Sequence, residues 1–163
     1  MCAKSKPFNI AKKTIGEPTL YQVEAPHVLM VNESTLSWDT KIERVNIIRK
    51  GIPYTSIESI SHKINRPIKM ILSLLDMPQT TYNKKKNEEA LLDARDGEII
   101  LLISELIDYG IMVFNNESEK FQRWLKKPNL SLGGYTPESF LDTSTGIEEV
   151  KNSLMRIEYG NFS

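Results

Sequence analysis

The chain has 163 residues and an ordinary apolar share of 40%, and its 21 basic and 21 acidic side chains balance to a formal charge of zero. That length suits one compact domain or two small ones, and the zero balance excludes a polyanion partner held by bulk charge, leaving only a local basic patch for such binding. The single cysteine, Cys2, has no partner for an internal disulfide, and His27 and His62 stand far apart in unlike contexts, so no metal site is expected. The longest apolar run, IILLI at 99–103, is far short of the roughly 20 residues that span a bilayer. No secretory signal is visible either, because no continuous apolar region follows the basic start. A soluble, cytoplasmic protein is the expectation.

Residues 1–38 read as a peripheral or flexible segment, broken by Pro7, Pro18 and Pro26, with at most a short strand within 21–31. A helix is predicted from about Asp39, with Ile42, Val45, Ile48 and Ile52 on its apolar face and Gly51-Ile52-Pro53 ending it. A second starts near Ser56 and carries Ile57, Ile60 and Ile64 on one side; a third covers 67–75 with Ile68, Ile71, Leu72 and Leu75. The segment DMPQTTYNKKK at 76–86 reads as a tight turn and a short polar helix anchored by Met77 and Tyr82. A long helix over 98–114 is apolar on nearly all sides, which places it at the centre of a bundle. Asn116 and Glu119 are expected to cap the next helix, which carries Phe121, Trp124 and Leu125. The pattern is all-α.

The last forty residues hold the densest set of boundary signals. Pro128 must stop the helix that ends at Trp124-Leu125, Gly133-Gly134 supplies a turn with positive φ, and Thr136-Pro137 is an N-cap followed by proline at the first helical position. A final helix opens at 142–145, with Thr145 and Glu148 as its capping box and Ile147, Val150, Leu154 and Ile157 as its apolar stripe. Gly160 stands where a helix end wants a left-handed residue. Neither the strand nor the Gly-Lys-Ser/Thr that a phosphate loop needs accompanies Gly133-Gly134, and Glu148 and Glu149 suit a helix start better than acid–base work.

Two stretches are candidate binding sites. Residues 66–86 have a helix-turn-helix layout in which Gln79, Thr80, Thr81 and Asn83 suit base edges. Lys63, Arg66, Lys69, Lys84, Lys85 and Lys86 outnumber the one acid, Asp76, between Ser59 and Asn87, as phosphate contact requires. On the motif alone, a solvated polar face on a helical bundle is the simpler reading of the same residues. At the other end, Arg156, Glu158, Tyr159, Gly160, Asn161 and Phe162 form either a frayed helix end or a contact surface, since aromatics and arginine concentrate at hot spots.

The frame carried by Trp124, Leu125, Pro128, Asn129, Leu132, Gly133, Gly134, Thr136, Pro137, Leu141, Asp142, Thr143, Gly146, Val150, Leu154, Arg156, Ile157, Glu158, Tyr159 and Gly160 resembles the toxin-binding domain of the Xre/MbcA/ParS antitoxins. The Xre member of RES–Xre toxin–antitoxin pairs is the nearest likeness. That resemblance implies an Xre-like helix-turn-helix domain at 39–115 and a toxin-binding domain at 116–163. It implies a bacterial type II antitoxin that is no enzyme and binds no cofactor. Its partner would be a RES-type, NAD-consuming toxin, whose active site the residues from Arg156 to Phe162 block. It further implies a homodimer within the toxin–antitoxin complex, and autoregulation by operator DNA through Lys69, Gln79, Thr80, Thr81, Asn83, Lys84, Lys85 and Lys86. Asp76, where many such turns have glycine, departs from the pattern. A helix-turn-helix regulator without a cognate toxin is the alternative.

Overall fold

The computed structural model describes residues 26–160. Helix dominates, as the sequence pattern predicts, but the chain enters through a two-stranded antiparallel hairpin, β1 (His27–Val31) and β2 (Ser34–Trp38), paired His27 to Trp38 and Val31 to Ser34. Asn32 turns the corner at φ 55°, the left-handed conformation that a two-residue hairpin loop needs. Leu29, Val31 and Trp38 are buried, while Val28 and Met30 point outward. Residues 27–38 therefore correct the peripheral reading: three of their side chains belong to the core. The alternation is hidden because HVLMV is a continuous apolar run and shows no period of two.

Helix α1 (Lys41–Lys50) starts on a true capping box in which the Thr40 hydroxyl accepts from the Glu43 N–H and the Glu43 carboxylate accepts from the Thr40 N–H. Its expected apolar face holds only in part: Ile48 and, past the helix end, Ile52 turn inward, but the other two members do not. Ile42 is 75% exposed and Val45 is exposed too, while Ile47 and Ile48 pack on the core and Arg44 reaches inward. At about 100° per residue, Ile42 lies opposite the face centred on Arg44, Ile47 and Ile48. The inner face thus runs through a charged residue, which a search for apolar spacing cannot see.

The next elements follow the expected order: α2 (Ser56–Lys63), α3 (Ile68–Leu74), α4 (Gln79–Asn87) and α5 (Ala94–Val113). Ile57 and Ile60 from α2, with Ile64 at its C-cap, share a core with Ile71 and Leu72 from α3 and Leu75 at its C-cap, and Tyr82 anchors α4. Helix α5 begins four residues ahead of the predicted start, because the Asp93 side chain accepts from the Asp96 N–H and caps it. It buries Ile99, Ile100, Leu101, Ile103, Leu106 and Ile107 on several sides and packs against β1, α1, α2, α6 (Ser118–Lys126) and α7 (Ser144–Glu158). Gly110 on α5 lets α6 approach: a Cβ there would stand 2.2 Å from the Phe121 ring. Asn116 does not cap α6. Asn115 and Asn116 take φ 55° and 64° in the turn, and Glu117 occupies the cap position without a side-chain cap bond.

Candidate partner-binding surfaces

Lys127 is extended ahead of Pro128, and α6 stops there, as proline demands. The chain then forms two short 3-10 turns, Leu130–Leu132 and Pro137–Phe140, before α7. Gly133 and Gly134 take φ 67° and 84° between them. Thr136 and Pro137 start the second turn in the predicted place, though the Thr136 hydroxyl makes no cap bond. Helix α7 is capped by Thr143, whose hydroxyl accepts from the Gly146 N–H at 3.1 Å, and not by a Thr145–Glu148 box. The cap falls two residues earlier because Leu141 and Gly146 are drawn inward, and Gly146 leaves room for the Phe140 carbonyl, only 2.2 Å from where a Cβ would stand.

Ile147, Val150 and Leu154 are buried along α7, which lies against α5; Ile157, the end of the stripe, is half-buried. Beyond it the surface opens. Arg156 and Gly160 are exposed, and Tyr159 is 69% exposed. Glu158 is exposed too, but the Tyr109 hydroxyl of α5 donates to its carboxylate, and Lys151 Nζ sits 5.7 Å from the centre of the same tyrosine ring. The described candidate residues at this end are thus all exposed, and one of them, an acid, is also tied to α5. Asn161 and Phe162 lie outside the described residues.

Helix α3, a turn and α4 stand in the order the helix-turn-helix reading expects. Asp76 adopts φ 51°, and the turn closes by Met77 N–H to Leu72 O at 2.9 Å and Asp76 N–H to Ser73 O at 3.3 Å. This is the hydrogen-bond pattern that normally uses glycine at the left-handed position, and aspartate tolerates it better than most residues. Gln79, Thr80, Thr81, Asn83, Lys84 and Lys69 are all exposed, with the Gln79 amide donating to Asn83 at 3.0 Å.

The basic excess within this segment is partly met by acids from outside it. Lys63 Nζ lies 2.7 Å from Asp108 Oδ1 and donates to Ser104 Oγ at 2.8 Å and to the Val28 carbonyl at 3.2 Å. Arg66 pairs with Glu138 at 2.7 Å and donates to Gln122 at 3.0 Å. Lys86 pairs with Glu58, and Lys84 and Lys85 lie 4.0 Å and 3.6 Å from Glu88. The acids come from outside the segment between Ser59 and Asn87, so a count of charges within it could not include them. Burial pushes the Asp108 carboxyl upward, but hydrogen bonds from His27 and Lys63, with the lysine's charge, hold it below the usual carboxylate range.

A second charge cluster, largely buried, has no signature in the sequence. Glu105 on α5 accepts from Arg44 at 2.6 and 2.7 Å and from the Trp38 indole at 2.7 Å. It forms one wall of a cleft of about 450 Å³ between β2, α1, α5 and α7, lined also by Lys41, Glu98, Glu148 and Lys151. Among the described residues no group of His, Cys, Asp and Glu is placed to hold a metal ion, and no helix is long and apolar enough to cross a membrane.

Residues 110–160 match the family described as the antitoxin Xre/MbcA/ParS C-terminal toxin-binding domain. A Photorhabdus laumondii protein named Antitoxin Xre is 29% identical over 114 residues, covering 70% of this chain and 77% of that protein. A Yersinia enterocolitica protein of the same name is 27% identical over 119 residues, 73% of this chain and 80% of its own. A Sphingobium protein named Prs ADP-ribosylating antitoxin is 25% identical over 130 residues, 75% of this chain and 82% of its own.

Proposed function

We propose, from the premise that this chain is an Xre-type antitoxin, that it acts by occupancy and not by catalysis: residues 116–163 cover a toxin and close its active site. The observation that carries this reading is the match of 110–160 to a toxin-binding domain whose last helix, α7, packs by one stripe and leaves Arg156, Tyr159 and Gly160 exposed. Those three, with Glu158, Asn161 and Phe162, are the contact set we assign to the toxin's cleft. Glu158 contributes by holding the end of α7 against Tyr109. The toxin we assign is a RES-type enzyme that consumes NAD. The name of the Sphingobium relative supports a link to ADP-ribose chemistry, and NAD is the usual donor of that group.

We place DNA contact in 39–115, with α4 as the helix that enters the major groove. Lys69, Gln79, Thr80, Thr81, Asn83, Lys84 and Lys85 are its contact residues; Lys86 supports the helix through Glu58. A homodimer would supply two such helices to an operator. A regulator with no cognate toxin is the second reading, which rests on the same turn geometry at Asp76.

The test is NAD turnover by the protein encoded in the same operon, titrated with the intact chain and with a chain ending at Glu158, complex formation being followed in parallel. The intact chain should inhibit fully. The shortened chain should fold, bind and leave part of the turnover free. Equal inhibition at equal concentration would remove the tail from the inhibitory role.

A further inference from the structure

We propose that the loop 129–135 is a preorganised docking element for the toxin, contributing affinity separately from the plugging end of α7. This rests on the antitoxin reading above. Leu130 is 94% exposed, the most exposed large apolar side chain among the described residues, and Tyr135 is 65% exposed. An aliphatic and an aromatic side chain held out in water on one short loop have the chemistry of interface anchors.

The loop that carries them is not loosely built. The Asn129 side chain accepts from the Ser131 N–H at 3.0 Å and the Ser131 hydroxyl at 2.9 Å, and its amide donates to Ser153 Oγ on α7 at 3.1 Å. Ser131 and Ser153 hydroxyls are 2.8 Å apart, and Ser153 is buried. The Asn129 N–H donates to the Tyr135 carbonyl and the Gly134 N–H to the Asn129 carbonyl, both at 2.9 Å. Leu132, buried, pins the middle. Gly133 and Gly134 supply the positive φ that closes so tight a loop, and a Cβ at Gly134 would meet nothing within 4 Å, so the tip faces solvent. A loop fixed before binding loses little conformational entropy on binding, which favours a tight contact over a passive surface.

What covers it follows from its place. The loop lies inside the matched toxin-binding domain. Its anchor on α7, Ser153, is six residues before Tyr159, about 9 Å along a helix axis. The loop and the exposed end of α7 are therefore close enough for one partner to touch both. Leu130 and Tyr135 would seat in apolar hollows of the toxin while the chain end enters its cleft.

The experiment measures binding of the operon's toxin to the intact chain, to a Leu130→Ser, Tyr135→Ser double variant and to Ile42→Ser, which removes another well-exposed apolar side chain, from α1. Thermal melts and NAD turnover are read alongside. The double variant should melt like the parent, bind at least tenfold more weakly, and still suppress NAD turnover completely once enough is added. Ile42→Ser should behave as the parent. Unchanged toxin affinity in the double variant overturns the proposal, as does an equal loss in Ile42→Ser or a change confined to self-association. If the parent neither binds nor inhibits the toxin, the antitoxin reading fails first and the docking loop with it.

Discussion

Glu105 accepts three hydrogen bonds from Arg44 and Trp38, with its side chain and that of Arg44 each about 15% exposed. Removing one member of such a pair leaves the other charge poorly solvated, which costs more than the pair itself contributes. Glu105→Ala should therefore lower stability by about 2–4 kcal/mol, checked by urea unfolding, while Glu105→Gln, which still accepts from the indole, should lose less. Asp108 gives a different dependence. Its carboxyl is held below the usual carboxylate range in the folded chain, so it contributes stability that is fully present above the unfolded value and lost as pH falls through the lowered folded value. Acid unfolding followed by circular dichroism should show Asp108→Asn with a flatter stability profile below about pH 4 than the parent. The parent's advantage should disappear at the acid end. A profile of unchanged slope would mean that His27 and Lys63 do not stabilise the charged form.

At the scale of elements, four helices end on a non-glycine residue with φ between 51° and 55°: Asn65 after α2, Asp76 after α3, Glu89 after α4 and Asn115 after α5. Left-handed residues of this kind close the turns that set α2 to α6 in place, whereas sequence signals for such turns are plain only where glycine supplies them, as at 133–134 and 160. The turn at Asp76 brings α4 out as a polar helix anchored through Tyr82 and the Lys86–Glu58 pair. Changing Lys69, Lys84 and Lys85 to alanine should leave that anchor intact and weaken operator binding. The salt dependence should flatten by up to ~0.9 in logarithmic slope for each phosphate no longer neutralised, read from binding at several salt concentrations. Identical slopes would take α4 off the DNA. Helices α2, α3, α5 and α7 were legible because their buried aliphatic side chains recur at helical spacing, as with Ile57, Ile60 and Ile64, whereas α4, which buries only Tyr82, was legible from the turn ahead of it. The hairpin and the inner face of α1 were not. One is a continuous apolar run, and the other turns inward on Arg44, whose partner Glu105 is 61 residues away. For the candidate site at the chain end, the signal lay in the order of residues from Trp124 to Gly160. The loop at 129–135 was legible as a turn, but the exposure of Leu130 and Tyr135 depends on what the fold leaves uncovered.

Across the whole molecule, α5 joins what the sequence divides. It packs on the hairpin, α1 and α2, and also on α6 and α7, and the Arg66–Glu138 pair ties the end of α2 to the turn before α7. The stripe Ile147, Val150 and Leu154 is buried with α5 against it. A fragment of residues 116–163 would lose that surface and keep only a small core of its own, close to the lower size limit for a domain without disulfide or metal. It should give the far-UV circular dichroism of a largely unfolded chain and fail to restrain the toxin's NAD turnover. A fragment of 94–163, which restores α5, should recover helix and at least part of the inhibition, though less stably than the whole because α5 would expose the face that β1, α1 and α2 cover. A helical, cooperatively melting 116–163 fragment would place the functional boundary where the sequence pattern puts it, after residue 115. Failure of 94–163 to gain helix over the shorter piece would show that the hairpin and α1 to α4 are needed to hold α5 in position, and with it the surface offered to the toxin.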